Sequence, residues 1–216
     1  MNNISSQDAR SYAIKIGAVM LLIILVVAAV LYALYRDRQS EPSDLVAKAA
    51  ECGIDITVNY IKQSDYTYDG EALSDVKNIV VHYVGNPSST AIANRNYFNS
   101  LAETKSTAAS AHFIVGLDGE IIQCVPVECV SWANGNLESN RHSITIECCH
   151  PDESGKFNEK TTESLMRLVK LLMQQYDLDK SSVIRHYDVT GKACPLYFVD
   201  NPNEWEAFLE SLEMSN

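Results

Sequence analysis

Residues 78–84 read Asn78-Ile79-Val80-Val81-His82-Tyr83-Val84, and Gly85-Asn86-Pro87 follow at once. A short run of β-branched and aromatic residues, closed by turn residues, reads as a buried strand. His82 is set inside it. Working outward, residues 111–116 and 120–125 flank Asp118-Gly119, which is a strong hairpin signal. Residues 143–149, Ser-Ile-Thr-Ile-Glu-Cys-Cys, alternate as a strand does. A helix is expected over 90–102, with Thr90 near its start. Another is expected over 160–176, where Leu165, Leu168, Val169, Leu172 and Tyr176 fall at helical spacing on one side and form a packing stripe. Residues 183–185 read as a short strand. Asn201 and Pro202 read as the cap and first residue of a last helix. Strands interspersed with helices predict an α/β domain with a single central mixed β-sheet flanked by helices. In such sheets, sites tend to lie at the strand ends.

Chemistry concentrates in residues 185–195, Arg-His-Tyr-Asp-Val-Thr-Gly-Lys-Ala-Cys-Pro. His186 and Cys194 are imidazole and thiolate ligands at a spacing that lets one loop fold both onto one zinc ion. His82 is the third candidate ligand. Three protein ligands leave a fourth position open, as catalytic zinc sites do. Lys192 lies two residues before the thiolate, where its ammonium can reach a group bound at the metal. The plain alternative is a set of unrelated polar residues in a loop and a strand.

The first residues have a different composition. Residues 16–35 carry no charge. Twenty such residues at ~1.5 Å each match the ~30 Å hydrocarbon core of a bilayer. The expectation is a transmembrane anchor over 16–35, preceded by a cytoplasmic tail over 1–15. A polar linker over 36–50 and a domain over 51–216 follow. A cleaved signal peptide is the alternative, with a shorter apolar region and a small-residue cleavage site. Arg10 and Lys15 before the run nearly balance Arg36 and Arg38 after it, so charge does not orient it.

The net charge of −11, with no basic stripe, argues against a nucleic-acid partner. The acidic residues between Glu41 and Asp75 read as a solvated, self-repelling entry segment. Six cysteines are present. Cys148 and Cys149 are adjacent in a strand and point to opposite faces, so they do not suit a mutual bond. The pairing of Cys52, Cys124, Cys129, Cys148 and Cys149 is left open, as is the oligomeric state.

Several motifs, in order, resemble the type-2, zinc-dependent N-acetylmuramoyl-L-alanine amidases. That family is related in fold to T7-type lysozymes and peptidoglycan-recognition proteins. The motifs are residues 79–84, Ala-Asn-Arg-Asn-Tyr-Phe-Asn at 93–99, 110–123, 143–147 and 185–195. The resemblance covers roughly 54–212. It implies His82, His186 and Cys194 as zinc ligands, Glu147 as the catalytic carboxylate and Lys192 as the lysine two residues before the last ligand. Ala111 stands where some members have a tyrosine, so the general-base role falls on Glu147. Ala133 stands where many have a histidine. Without the resemblance, Glu147 reads as a surface strand glutamate, pointing away from the face that Ile144 and Ile146 bury.

The implied activity is hydrolysis of the amide between N-acetylmuramic acid and L-alanine. Its substrate, peptidoglycan, lies outside the cytoplasmic membrane. The expected localisation is therefore single-pass in that membrane, with the catalytic domain extracellular. The rivals are a peptidoglycan-binding module that does not cut and a regulatory membrane scaffold. Among other polar residues, Asp188 is expected to orient His186. His112 is expected in the core or at the substrate, Trp132 in the groove or the core, and His142 and His150 at the surface.

Overall fold

The structure, a computed structural model, describes residues 15–30 and 44–213. Contacts divide the chain into two units, 1–44 and 45–216. In the first, residues 15–30 form helix α1, with its side chains exposed. No helix among the described residues is long and apolar enough to cross a membrane. This overturns the expected single-pass membrane localisation and leaves the expected anchor over 16–35 without support. Residues 31–35 of that stretch, and residues 1–14 of the expected tail, lie outside the described residues.

The second unit begins inside the expected linker, whose residues 36–43 are likewise not described. Helix α2 (Asp44–Glu51) buries Leu45 and Ala49, one helical turn apart on one side. Strand β1 (Ile56–Val58) follows, then β2 (Asn78–Tyr83), helix α3 (Ala91–Thr104), β3 (Phe113–Val115) and β4 (Ile121–Gln123). Next come α4 (Leu137–Arg141), β5 (Ser143–Cys148) and α5 (Glu159–Tyr176). A 3-10 turn at Lys180–Ser182 leads into β6 (Val183–Arg185), and α6 (His186–Thr190), α7 (Leu196–Asp200) and α8 (Pro202–Ser211) complete the order.

The sheet is six-stranded and mixed, in the order β1-β4-β3-β5-β2-β6. Only the β3–β4 hairpin is antiparallel; the other neighbours pair in parallel. The expected α/β class with one central mixed sheet flanked by helices is what the chain forms. Helix α3 starts where Thr90 caps it, its side chain accepting from the Ala93 N–H. Asn158 does the same for α5. Asn201 stands at the start of α8 without capping it: its amide donates to the Tyr197 carbonyl of α7 instead.

Alternation along the strands builds two cores. One face presents Ile79, Val81, Phe113, Val115, Ile144, Ile146 and Cys148 to Leu165, Leu168, Val169 and Leu172 of α5 and to Trp205 and Phe208 of α8. The other presents Ile114, Ile122 and Cys149 to Ala91, Phe98 and Leu101 of α3. Cys148 and Cys149 thus enter opposite cores, and all six cysteines are free. Helix α3 lies on β3 and β4, while α6 lies on β2 and β6. The second face therefore has its polar residues over β5 and β2, between those helices.

Candidate metal centre

His82 lies near the carboxyl end of β2. Its neighbour in register on β5 is Glu147, so both side chains project from the same face. On the other side of β2, Val81 pairs with Arg185 of β6. The next residues along the chain are His82, still in β2, and His186, the first of α6, and their rings stand 4.6 Å apart. Helix α6 then turns at Gly191, which holds φ +77°, a conformation open to glycine at little cost. The turn returns the chain, and the Tyr187 N–H donates to the Cys194 carbonyl. Cys194 Sγ comes within 3.8 Å of His82 Nδ1. One donor atom each from His82, His186 and Cys194 lies within 4.8 Å of the others, and all three residues are buried.

Electrostatics makes this a site in want of a cation. Burial, then the neighbouring His186, push His82 down to about 3. Burial and Lys192 lower His186 as well. Both rings are therefore neutral near pH 7, which is the ligating form. Burial pushes the Cys194 thiol up to about 12, and the Glu147 charge adds to this, against the pull of the Tyr83 N–H and Lys192. A bound divalent cation reverses that balance and favours the thiolate. His186 Nδ1 is buried and has no hydrogen-bond partner. The 3.8 Å between Nδ1 and Sγ is close to the roughly 3.5 Å that separates such ligands around tetrahedral zinc. Two imidazoles and a thiolate form a borderline-soft donor set that suits zinc. The residues fit the ion.

Glu147 is pushed up to about 8 by burial, opposed by Lys192. Its Oε2 is sealed from solvent without a partner. Lys192 is exposed, and its charge acts on both histidines, on Glu147 and on Cys194. The five residues expected from the sequence thus gather in one place.

Other expectations change. Asp188 does not orient His186: its carboxylate accepts from the Arg185 backbone N–H and side chain. Two residues apart on a helix, Asp188 and His186 face different sides, whereas three apart, Asp188 and Arg185 meet. His150 is buried rather than at the surface, with Nδ1 donating to the Asp152 carbonyl and its ring 5.1 Å from Tyr83. His142 lies half-buried on the Asp75 carbonyl. Trp132 packs half-buried on the α3 core. His112 is buried in a closed network with Thr145, Ser131 and the Cys129 carbonyl.

Sequence reasoning missed Asn134. It is fully buried, and its Oδ1 lies 3.0 Å from His82 Nε2. The two are 52 residues apart in sequence, so no local spacing announced the contact.

A family profile described as N-acetylmuramoyl-L-alanine amidase matches residues 72–196. Among curated proteins, the chain is 29% identical over 171 residues to the N-acetylmuramoyl-L-alanine amidase CwlL of Bacillus licheniformis, covering 74% of this chain and 47% of the relative. It is 30% identical over 166 residues to CwlH of Bacillus subtilis strain 168, covering 76% of this chain and 63% of the relative. The chain spans about half the length of the first of these curated relatives. Among solved structures, the XlyA catalytic domain superposes with a TM-score of 0.63 at 29% identity, over 74% of this chain and 100% of that one. PlyL superposes with a TM-score of 0.65 at 28% identity, over 76% and 99%.

Proposed function

Because the chain belongs to the type-2 N-acetylmuramoyl-L-alanine amidase family, we propose that it is a zinc hydrolase that cleaves the amide between N-acetylmuramic acid and L-alanine of peptidoglycan. The observation that carries this reading is the convergence of three buried ligand atoms beside an in-register carboxylate. In it, His82, His186 and Cys194 hold the ion, Glu147 handles protons and Lys192 stabilises charge.

Zinc, when bound, supplies a Lewis acid that polarises the amide carbonyl and lowers the pKa of water from ~15.7 towards ~7. Glu147 takes the proton of the attacking water as its oxygen bonds to the lactyl carbonyl carbon. The same carboxyl gives a proton to the nitrogen as the carbon–nitrogen bond breaks, so the alanine amine leaves neutral. Its position on a buried strand, raised to about 8, keeps it able to accept and return a proton near neutrality. Lys192 places a positive charge where the oxyanion develops, a contribution of roughly 3 kcal/mol by analogy with single oxyanion donors.

Digestion of defined muropeptides, with products identified by mass spectrometry, tests the reading. The expected products are a stem peptide with a free alanine amine and a sugar with a free lactyl carboxylate. Fragments that bind but remain intact would support a binding module instead. Cleavage at a sugar–sugar or peptide–peptide bond would overturn the assignment of the scissile amide.

A further inference from the structure

We propose that Asn134 is a positioning residue that fixes the tautomer and tilt of His82, so that its ring presents Nδ1 to the metal ion. The proposal rests on the zinc reading above.

The loop carrying Asn134 is held at several points. The Trp132 N–H donates to Ser110 Oγ, and the Ser110 N–H donates back to the Trp132 carbonyl. The Asn134 N–H donates to Oδ1 of Asn140, itself buried. The side-chain amide of Asn134 donates through Nδ2 to Ser139 Oγ at 2.9 Å. In this arrangement of the amide, Oδ1 is the end that faces His82 Nε2 at 3.0 Å. An oxygen acceptor there requires the proton on Nε2, since a neutral imidazole has one donor and one acceptor. The lone pair is then on Nδ1, the atom 3.8 Å from Cys194 Sγ.

The backbone of the same loop borders the second ring. Gly135 holds φ +63°, and a Cβ there would sit 3.9 Å from His186 Nε2. Nε2 thus lies against the 134–135 backbone, and Nδ1 is the nitrogen left buried without a partner. Asp188, the acidic neighbour of His186, is committed to Arg185 and takes no part.

The test is zinc affinity by chelator competition for the wild type, Asn134→Leu, Asn134→Asp and Asp188→Asn. Removing the oxygen in Asn134→Leu should weaken binding by roughly 10–100-fold, the usual effect of losing a group that orients a ligand. Asn134→Asp keeps an oxygen for His82 Nε2 and should recover the affinity, while Asp188→Asn should match the wild type. A role confined to stability would lower the melting temperature of both Asn134 variants and leave their affinity unchanged. Wild-type affinity in Asn134→Leu overturns the proposal. If that variant does not fold, nitrogen-15 NMR of the metal-free wild type decides. Nε2 of His82 should carry the proton, and a proton on Nδ1 overturns the proposal. A wild type that binds no zinc would overturn the zinc reading, whereas the NMR result speaks to Asn134 independently.

Discussion

On the face of the sheet covered by α5 and α8, β2 and β5 place Ile79, Val81, Ile144 and Ile146, all buried in one apolar core. The alternate residues of the same strands, on the opposite face, are Val80, His82, Thr145 and Glu147. This second face itself divides in two. Around Thr145 the polar atoms are paired: His112 Nδ1 accepts from the Thr145 N–H at 3.0 Å, its Nε2 donates to the Cys129 carbonyl at 2.9 Å, and Ser131 Oγ bonds Thr145 Oγ1 at 2.7 Å. Around His82, one row further along, His186 Nδ1 and Glu147 Oε2 are buried without partners. An unpaired buried polar atom costs about 1–3 kcal/mol. Among the described residues Gln123 Oε1, Trp132 Nε1, Ser143 Oγ and His150 Nε2 are also buried without partners, but it is at His186 and Glu147 that such atoms lie beside three converging ligand residues. Polar residues in the interior therefore serve two ends, and the convergence of three ligand residues beside unpaired atoms marks the metal centre.

Substitutions on each side of this division sharpen it, the largest effect coming from the unpaired side. Glu147→Gln should retain zinc while turnover on muropeptides falls by roughly 10²-fold or more, the scale of a general acid–base group. Near-normal turnover in a zinc-replete Glu147→Gln protein would move the proton-transfer role elsewhere. On the apolar face, Ile146→Ala should leave the zinc content intact and lower the unfolding free energy by about 3 kcal/mol, read from urea titration. The closed network makes a prediction in pH. Burial lowers His112 from its ordinary 6.5 to about 4. Between those values the unfolded chain binds a proton that the folded chain refuses. The stability tied to neutral His112 is complete above about 6.5, is lost as pH falls, and levels off below about 4. Urea midpoints of the metal-free protein should follow that course, and His112→Gln should flatten the slope. An unchanged slope in the variant would mean that the network does not exclude the proton.

The long periodic elements were readable because pattern and length agree. Strand β2 ends at its Gly-Asn-Pro turn, and the stripe from Leu165 to Tyr176 marks α5. The elements that escaped are short. Strand β1 has three residues, and α4, α6 and α7 have five each, less than two helical turns, so no period can show. Helix α2 escaped for another reason: Leu45 and Ala49 are its only buried residues, and the acidic run around them read as solvated chain. In the site, His82, His186 and Cys194 were legible by residue type, because few side chains bind zinc. Asn134 was not legible, since an amide gains its role only from what the fold sets opposite it. His150 was misjudged because its polar type suggested exposure, while the fold lays Tyr83 against it.

Metal analysis of the purified chain alongside Cys194→Ala tests the central claim most directly. The account predicts about one zinc per wild-type chain, the content expected for a single three-ligand catalytic site. It also predicts loss of most of that zinc, and of amidase activity with it, in Cys194→Ala. A Cys194→Ala protein that keeps full zinc and full activity would contradict the ligand set, and with it the reading of this face as a metal centre.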